Sequence, residues 1–302
     1  MKQTSCLAQA LPYLPQGLRS GIQQLPQHKQ DAIQEIRIRM GRPVTLTIHN
    51  TEEPLPMAAP ITVNAALMES VFKSICEHSV HSYQQEIRRG FITIAGGNRV
   101  GISATAVIQQ QQQIETLRNV SGMNFRIASQ IIGCGEELHH RTLAQAAGGL
   151  LICAPPNGGK TTILRDLCRI CGNDSRVSVI DERGEIAAMK QGVSPFVLGN
   201  QTDVFDGYPK AYGIETAVRV MSPQYLVCDE IGGGEETEAI LHMLHTGVHL
   251  IATAHLGDLK ELSQRPQLQR LIDAGAFRYI ALLGTGTSCG QICGLRRIGQ
   301  SI

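Results

Sequence analysis

At 302 residues, with 42% hydrophobic and 18% charged side chains, the chain has the composition of a soluble globular protein long enough for two domains. A net charge of +1 and an aromatic content of 4% argue against tracking along a nucleic-acid strand, which needs a basic groove and stacking rings. Nine cysteines scattered through apolar runs do not make a disulfide framework and fit a reducing compartment, and no window approaches the roughly 18 apolar residues of a membrane span.

Taken from the start, Lys2 is followed by no apolar stretch of signal-peptide length, since Pro12, Pro15 and Gly17 interrupt it, so any membrane association is expected to be peripheral. Glu35-Ile36-Arg37-Ile38-Arg39-Met40 alternates at strand period, Gly41-Arg42-Pro43 breaks it and residues 44–48 resume, which predicts a hairpin. Arg37, Arg39 and Arg42 form a basic strip, read as a solvated face in preference to a nucleic-acid or partner surface. Asn64 is placed to cap a helix in which Leu67, Met68, Val71, Phe72 and Ile75 recur at helical spacing. Residues 90–94 and 99–103 flank Ala95-Gly96-Gly97-Asn98 as a second hairpin. The glutamine run at 109–113 reads as an exposed loop, 114–132 as partly extended, and 135–147 as a helix through Leu138, Leu143 and Ala147. A boundary near residue 130 separates an N-terminal α/β domain (1–130), suited to assembly or partner contacts, from a second domain (131–302).

In the second domain four apolar runs each lead into residues able to do chemistry. Residues 149–153 run into Ala154-Pro155-Pro156-Asn157-Gly158-Gly159-Lys160-Thr161; 177–180 end at Asp181-Glu182; 225–228 end at Asp229-Glu230; 249–253 lead to His255. Helices predicted at 162–171, 214–221 and 235–245 alternate with them, which implies a parallel sheet built by right-handed crossovers, with ligands beyond the carboxyl ends of its strands. The excursion at 184–210 is long for a connection and is expected to be functional.

A phosphate-binding loop needs small residues, so that backbone N–H groups can point at the anion, and the start of a helix to add its positive end. Residues 154–162 can form one, from Ala154 to Thr162, with Lys160 reaching the β- and γ-phosphates and the Thr161 hydroxyl binding Mg²⁺. With 7 lysines against 20 arginines in the chain, a lysine at this position adds weight to the loop. Ala154 stands where the strict pattern has its first glycine. Asp229 would hold Mg²⁺ through water and Glu230 would polarise the attacking water. Asp181 and Glu182, followed by Glu185, are either a second metal- or water-activating pair or a solvated charged turn. Asp229-Glu230-Ile231-Gly232 also matches D-x-x-G, but no N-K-x-D follows, so ATP is expected and GTP is not. His242, His245, His249 and His255 lack the spacing of a zincin, so no zinc is expected, and Cys168 and Cys171 read as reduced thiols.

Three features together resemble the secretion ATPases of type II and type IV systems, which are RecA-like hexameric motors. They are the Gly-rich loop, the acidic box Val179-Ile180-Asp181-Glu182-Arg183-Gly184-Glu185, and the run from Arg219 through Ser222-Pro223 and Glu230 to Thr246 and His255. The last looks like that family's histidine box, with Val248 in place of its first histidine and His255 matching the second. Further phrases, Glu35 to Pro43, Gly90 to Gly101 and Asn124 to Ala128, are similar to stage III sporulation proteins of endospore-forming bacteria, with Asn98 standing where a histidine is expected. The resemblance implies an α/β fold: a RecA-like P-loop NTPase core with a mostly parallel sheet, preceded by a smaller mixed α/β N-terminal domain. It implies a Mg²⁺-dependent ATPase, a ring homo-oligomer (a hexamer), and a cytoplasmic location, peripheral at the mother-cell face of the membrane. The partners it implies are inner components of the complex linking mother cell and forespore.

Glu230 is the first choice for orienting water, with Asp181 or Glu182 competing, and His255 is the expected γ-phosphate sensor. RecA-like motors complete their sites with arginines, often from a neighbouring subunit, and Arg126, Arg99, Arg88 and Arg89 are the candidates in falling order. A nucleotide-gated scaffold with little turnover and a nucleic-acid motor remain as alternatives.

Overall fold

The computed structural model describes residues 2–108 and 114–298; the glutamine run at 109–113 lies outside the described residues. The chain forms two compact units, one made mainly of Gln130–Ala187 and the chain from Phe196 onward, the other of Gln3–Ser129 with Ala188–Pro195.

The second of these carries an antiparallel six-stranded sheet. Its strands are β1 (Ile33–Arg39), β2 (Thr45–Ile48), β3 (Thr51–Pro54), β4 (Phe91–Thr93), β5 (Arg99–Ile108) and β6 (Ile114–Arg126), in the order β3-β2-β1-β6-β5-β4. Alternation in β1 sends Ile36 and Ile38 to a buried face, where Ile36 lies level with Leu46 and Phe125. Helices α1 (Gln16–Gln23) and α2 (Ala65–Ile75) contribute Leu18, Ile22, Met68, Val71 and Ile75 to the same core. Each such side chain contributes about 1.5–3 kcal/mol on burial. Asn64 caps α2 by accepting from the Leu67 N–H at 2.9 Å. On the opposite face of β1, Arg37 pairs with Glu35 at 2.7 Å and Arg39 with Glu52, whose carboxyl is pulled down to about 2 by that arginine, so part of the basic strip is neutralised within the sheet. The 188–195 segment, taken from the long excursion, adds Lys190, which pairs with Glu77 and donates to the Tyr13 hydroxyl at 3.4 Å.

The other unit is a seven-stranded sheet. Its strands are β7 (Leu150–Ala154), β8 (Val177–Asp181), β9 (Thr202–Asp206), β10 (Tyr225–Cys228), β11 (His249–His255), β12 (Tyr279–Leu283) and β13 (Ile292–Arg297), in the order β9-β8-β10-β11-β7-β12-β13. All neighbours are parallel except β12 and β13. Every residue of β7 and β8 is buried, as expected for strands covered on both faces. The helices are α3 (Glu136–Arg141), α4 (Lys160–Asp174), α5 (Lys210–Met221), α6 (Gly234–Leu244) and α7 (Pro266–Asp273). Helix α3 is shorter than the expected 135–147: Thr142 leaves helical geometry at φ −129° and ψ −89°, while its hydroxyl donates back to the Leu138 carbonyl at 2.6 Å. Beyond the expected strands, β9 lies inside the 184–210 excursion, and β12 and β13 extend the sheet past β7. Among the described residues no helix is long and apolar enough to cross a membrane.

Candidate functional site

Strand order and register bring the four chemistry-bearing ends to one edge. β11 runs between β7 and β10, with His255 level with Ala154 and Ala252 level with Cys228, and Ile180 of β8 is level with Cys228 from the other side. Asp181, Asp229, His255 and the loop after Ala154 therefore meet at the carboxyl end of the sheet.

The loop from Pro155 to Gly159 delivers the chain into α4. Asn157 and Gly159 have left-handed backbones, φ 60° and 82°. No side chain caps the helix, which leaves its first-turn N–H groups for an anion. A Cβ on residue 158 would fall 2.5 Å from the Ala154 Cβ. The alanine at the first loop position is thus accommodated because Gly158 has no side chain.

Lys160 is only 6% exposed, and its ammonium donates to the carbonyls of Ala154 and Pro155, each at 3.0 Å, and lies 2.9 Å from His255 Nδ1. Burial pushes its pKa below the ordinary lysine value, opposed by the carboxylates of Asp229 and Glu230. The Thr161 hydroxyl donates to Asp229 Oδ2 at 2.8 Å. The other oxygen, Oδ1, accepts from the Thr253 hydroxyl and from the Glu230 N–H at 3.0 Å, and that N–H also reaches Thr253 Oγ1 at 2.8 Å. Glu230 sits in the left-handed region, φ 46°, a conformation disfavoured for a side chain with a Cβ. Its Oε1 pairs with His255 Nε2 and its Oε2 accepts from Arg183 Nη1 at 2.8 Å. A continuous chain of polar contacts results: Arg183, Glu230, His255, Lys160.

Asp181 is 2% exposed and both its oxygens are engaged. They accept backbone N–H groups from Glu185 (2.8 Å), Ile186 (3.1 Å) and Ala187 (2.7 Å). From below, Arg165 donates to the Ile186 carbonyl at 2.7 Å and the Glu185 carbonyl at 2.6 Å and lies over the Phe196 ring at 3.9 Å. The acidic box is thereby a clamped turn with the exposed Glu182 and Arg183 at its tip. Asp181→Ala, which removes the acceptor of three backbone donors, two of them buried, is expected to lower unfolding free energy by about 3 kcal/mol, measured as a lower urea midpoint.

A cleft of about 490 Å³ opens beside Glu230, lined among others by Glu182, Arg183, Lys210, Glu236, His255 and Arg265. Lys210 donates to the Glu230 carbonyl and lies 3.8 Å from Glu236. Of the further residues at the site, Arg183 lies inside the acidic box and Thr253 inside the histidine box, while Lys210, Arg165 and Arg265 belong to no motif. Glu182, Glu230 and His255 share this cleft, while Thr161, Lys160 and Asp229 adjoin it through the contacts above. Arg126, Arg99, Arg88 and Arg89 all belong to the N-terminal unit: Arg126 is exposed, level with Glu35 and Arg99, and Arg99 lies 5.3 Å from the Phe91 ring. Among the described residues no three His, Cys, Asp or Glu side chains are arranged to hold a metal by themselves. Cys168 and Cys171 are free and buried, and burial pushes the Cys171 thiol up to about 12.

Against known proteins, the chain matches the family described as Sporulation stage III, protein AA over residues 9–300. It is 35% identical over 276 residues to stage III sporulation protein AA of Bacillus subtilis (strain 168), covering 89% of this chain and 88% of that one. It is 28% identical over 172 residues to the uncharacterized protein ycf45 of Cyanidium caldarium, covering 55% of this chain and 50% of the relative. Among solved structures, the pilus retraction motor PilT with bound ADP is similar at a TM-score of 0.60 and 15% identity, over 85% of this chain and 76% of that one. The ATPase DotB of Legionella pneumophila is similar at 0.53 and 15% identity, over 85% and 74%. These two likenesses show the fold, a RecA-like core with a preceding domain. The length and identity of the sequence match establish the rest: this chain belongs to the stage III sporulation protein AA family.

Proposed function

We propose that the protein is a Mg²⁺-dependent ATPase acting as a ring-shaped homo-oligomer, a hexamer, on the mother-cell face of the complex joining mother cell and forespore. The observation that carries this reading is the meeting of Thr161 with Asp229 and of Lys160 with His255 and Glu230 at three adjacent strand ends. The donor set fits Mg²⁺: a hydroxyl and a carboxylate, both hard oxygen ligands, stand 2.8 Å apart beside an anion cradle that would bring phosphate oxygens. Bound there, the ion would neutralise charge building on the β- and γ-phosphates.

The chain's own groups do the remainder. N–H groups from Asn157 to Thr162 hold the phosphates, and Lys160 exchanges its carbonyl and histidine partners for phosphate oxygens. Glu230 orients a water for in-line attack on the γ-phosphorus as the bond to the bridging oxygen breaks. Asp181, with both oxygens committed to its turn, keeps that loop in place, and Glu230 is the base. His255, released by Lys160, registers whether a γ-phosphate is present. Arg126 is proposed to reach the site of a neighbouring copy, the N-terminal domain serving assembly and contacts with membrane-complex components. The bound ADP of PilT and the family's link to sporulation agree with this reading.

The test is phosphate release from ATP with Mg²⁺ or with chelator, alongside ATP-dependent oligomerisation. Release that requires Mg²⁺ and is not stimulated by single-stranded DNA is expected. Assembly on ATP without release would leave a nucleotide-gated scaffold instead.

A further inference from the structure

We infer that Arg183 is a positioning residue for Glu230, holding the carboxylate so that its other oxygen faces the phosphate loop; the inference rests on the ATPase reading above. The two oxygens of Glu230 have different partners. Oε1 pairs with His255, whose Nδ1 is 2.9 Å from Lys160 Nζ, so this oxygen faces the place where phosphate would be gripped. Oε2 is taken by Arg183 at 2.8 Å. When Lys160 and His255 turn to an incoming triphosphate, Oε1 becomes available to water. Arg183 is then the partner that keeps the carboxylate from rotating.

An arginine this exposed, with 64% of its side chain open, would be an ordinary surface group on a loose loop. Its turn is not loose. Asp181 fastens the turn from within through three backbone N–H groups, and Arg165 fastens it from below through two carbonyls. The backbone of Glu230 is fixed as well, by Thr253 and Asp229. With both ends of the pair anchored, less conformational freedom is lost in making it, and the direction of the carboxylate is set before substrate arrives. The contact is made by one guanidinium nitrogen, Nη1, so a lysine, a point charge on a flexible stem, should replace it in part.

The test compares Arg183→Ala and Arg183→Lys with the wild-type protein, in steady state and in single turnover. Arg183→Ala is expected to lower kcat about tenfold while KM for ATP stays within about twofold, because misaiming the base affects the chemical step and not the phosphate grip. Arg183→Lys should recover part of the loss. In a Glu230→Gln background, adding Arg183→Ala should cost nothing further in single turnover, since both changes act through one carboxylate. The inference is overturned by equal fold losses in both backgrounds, or by a loss tracking a lowered melting temperature and not restored by lysine. It is also overturned by a basal rate that rises, which would make Arg183 a brake. Lys160→Ala, assayed in parallel, separates the two readings: if it hydrolyses ATP normally, hydrolysis does not take place at this loop and the site assignment above fails with the role of Arg183, whereas if it is dead and Arg183→Ala is normal only the role of Arg183 fails.

Discussion

Replacing Lys160 with alanine is expected to lower ATP turnover by at least about 10²-fold, measured as phosphate release at saturating Mg²⁺ and ATP. The ammonium is nearly sealed from water and is satisfied by two loop carbonyls and His255. Held in such a place, a positive charge stabilises developing phosphate charge far better than one in bulk water. Burial also sets a pH dependence. The lysine of the free protein has its pKa lowered, and binding a triphosphate beside it raises that pKa again. Above the lowered value the free protein must take up a proton to bind. Nucleotide affinity should therefore be full below that pKa and fall as pH rises through it, in a range below the ordinary lysine pKa of about 10.4. The alanine variant should lack this dependence. Its stability should change little, about 1 kcal/mol in either direction, because two carbonyls lose a donor while a buried charge is removed.

Glu230→Gln is the second large effect. Losing the carboxylate that aims water should lower kcat by about 10²–10³-fold, with nucleotide affinity within about threefold of wild type, since no loop residue is altered. Glutamine keeps the size of the side chain and can still accept from Arg183, so the fold around it should persist. A variant that binds ATP and keeps it intact is expected, read by filter binding with radiolabelled nucleotide followed by chromatography of the bound fraction.

The parts of the fold and site that could be read from sequence were those where a single physical signal dominates. Residues 149–154 are apolar throughout, and 177–180 apolar but for Ser178, because they are buried on both faces, and each run leads into its functional residues, so strand and site were legible together. β1 was legible from strict alternation, and α2 from Asn64 and a helical stripe. β9 was not, because Thr202-Asp203-Val204-Phe205-Asp206 lies at the sheet edge, where one side needs no partner and polar residues are tolerated. β12, Tyr279 to Leu283, is apolar enough to have been read by the same criterion. Thr253 gave no signal: it is a β-branched residue within an apolar strand, and only the register shows its hydroxyl between Asp229 and the Glu230 N–H. For Asp181, composition left a metal-binding pair and a charged turn both open. In the structure three backbone N–H groups lie on its oxygens, a fastening that composition does not show. The roles of Arg183 and Arg165 depend on contacts 47 and 20 to 21 residues away in sequence, which no local pattern encodes.

The most direct measurement is a crystal structure of the Glu230→Gln protein with ATP and Mg²⁺. Phosphates are expected against the N–H groups of residues 157–162, with Lys160 moved from His255 onto the β- and γ-oxygens and the metal between Thr161 and Asp229. Nucleotide bound elsewhere, or Lys160 still bonded to Ala154, Pro155 and His255 with ATP present, would contradict it.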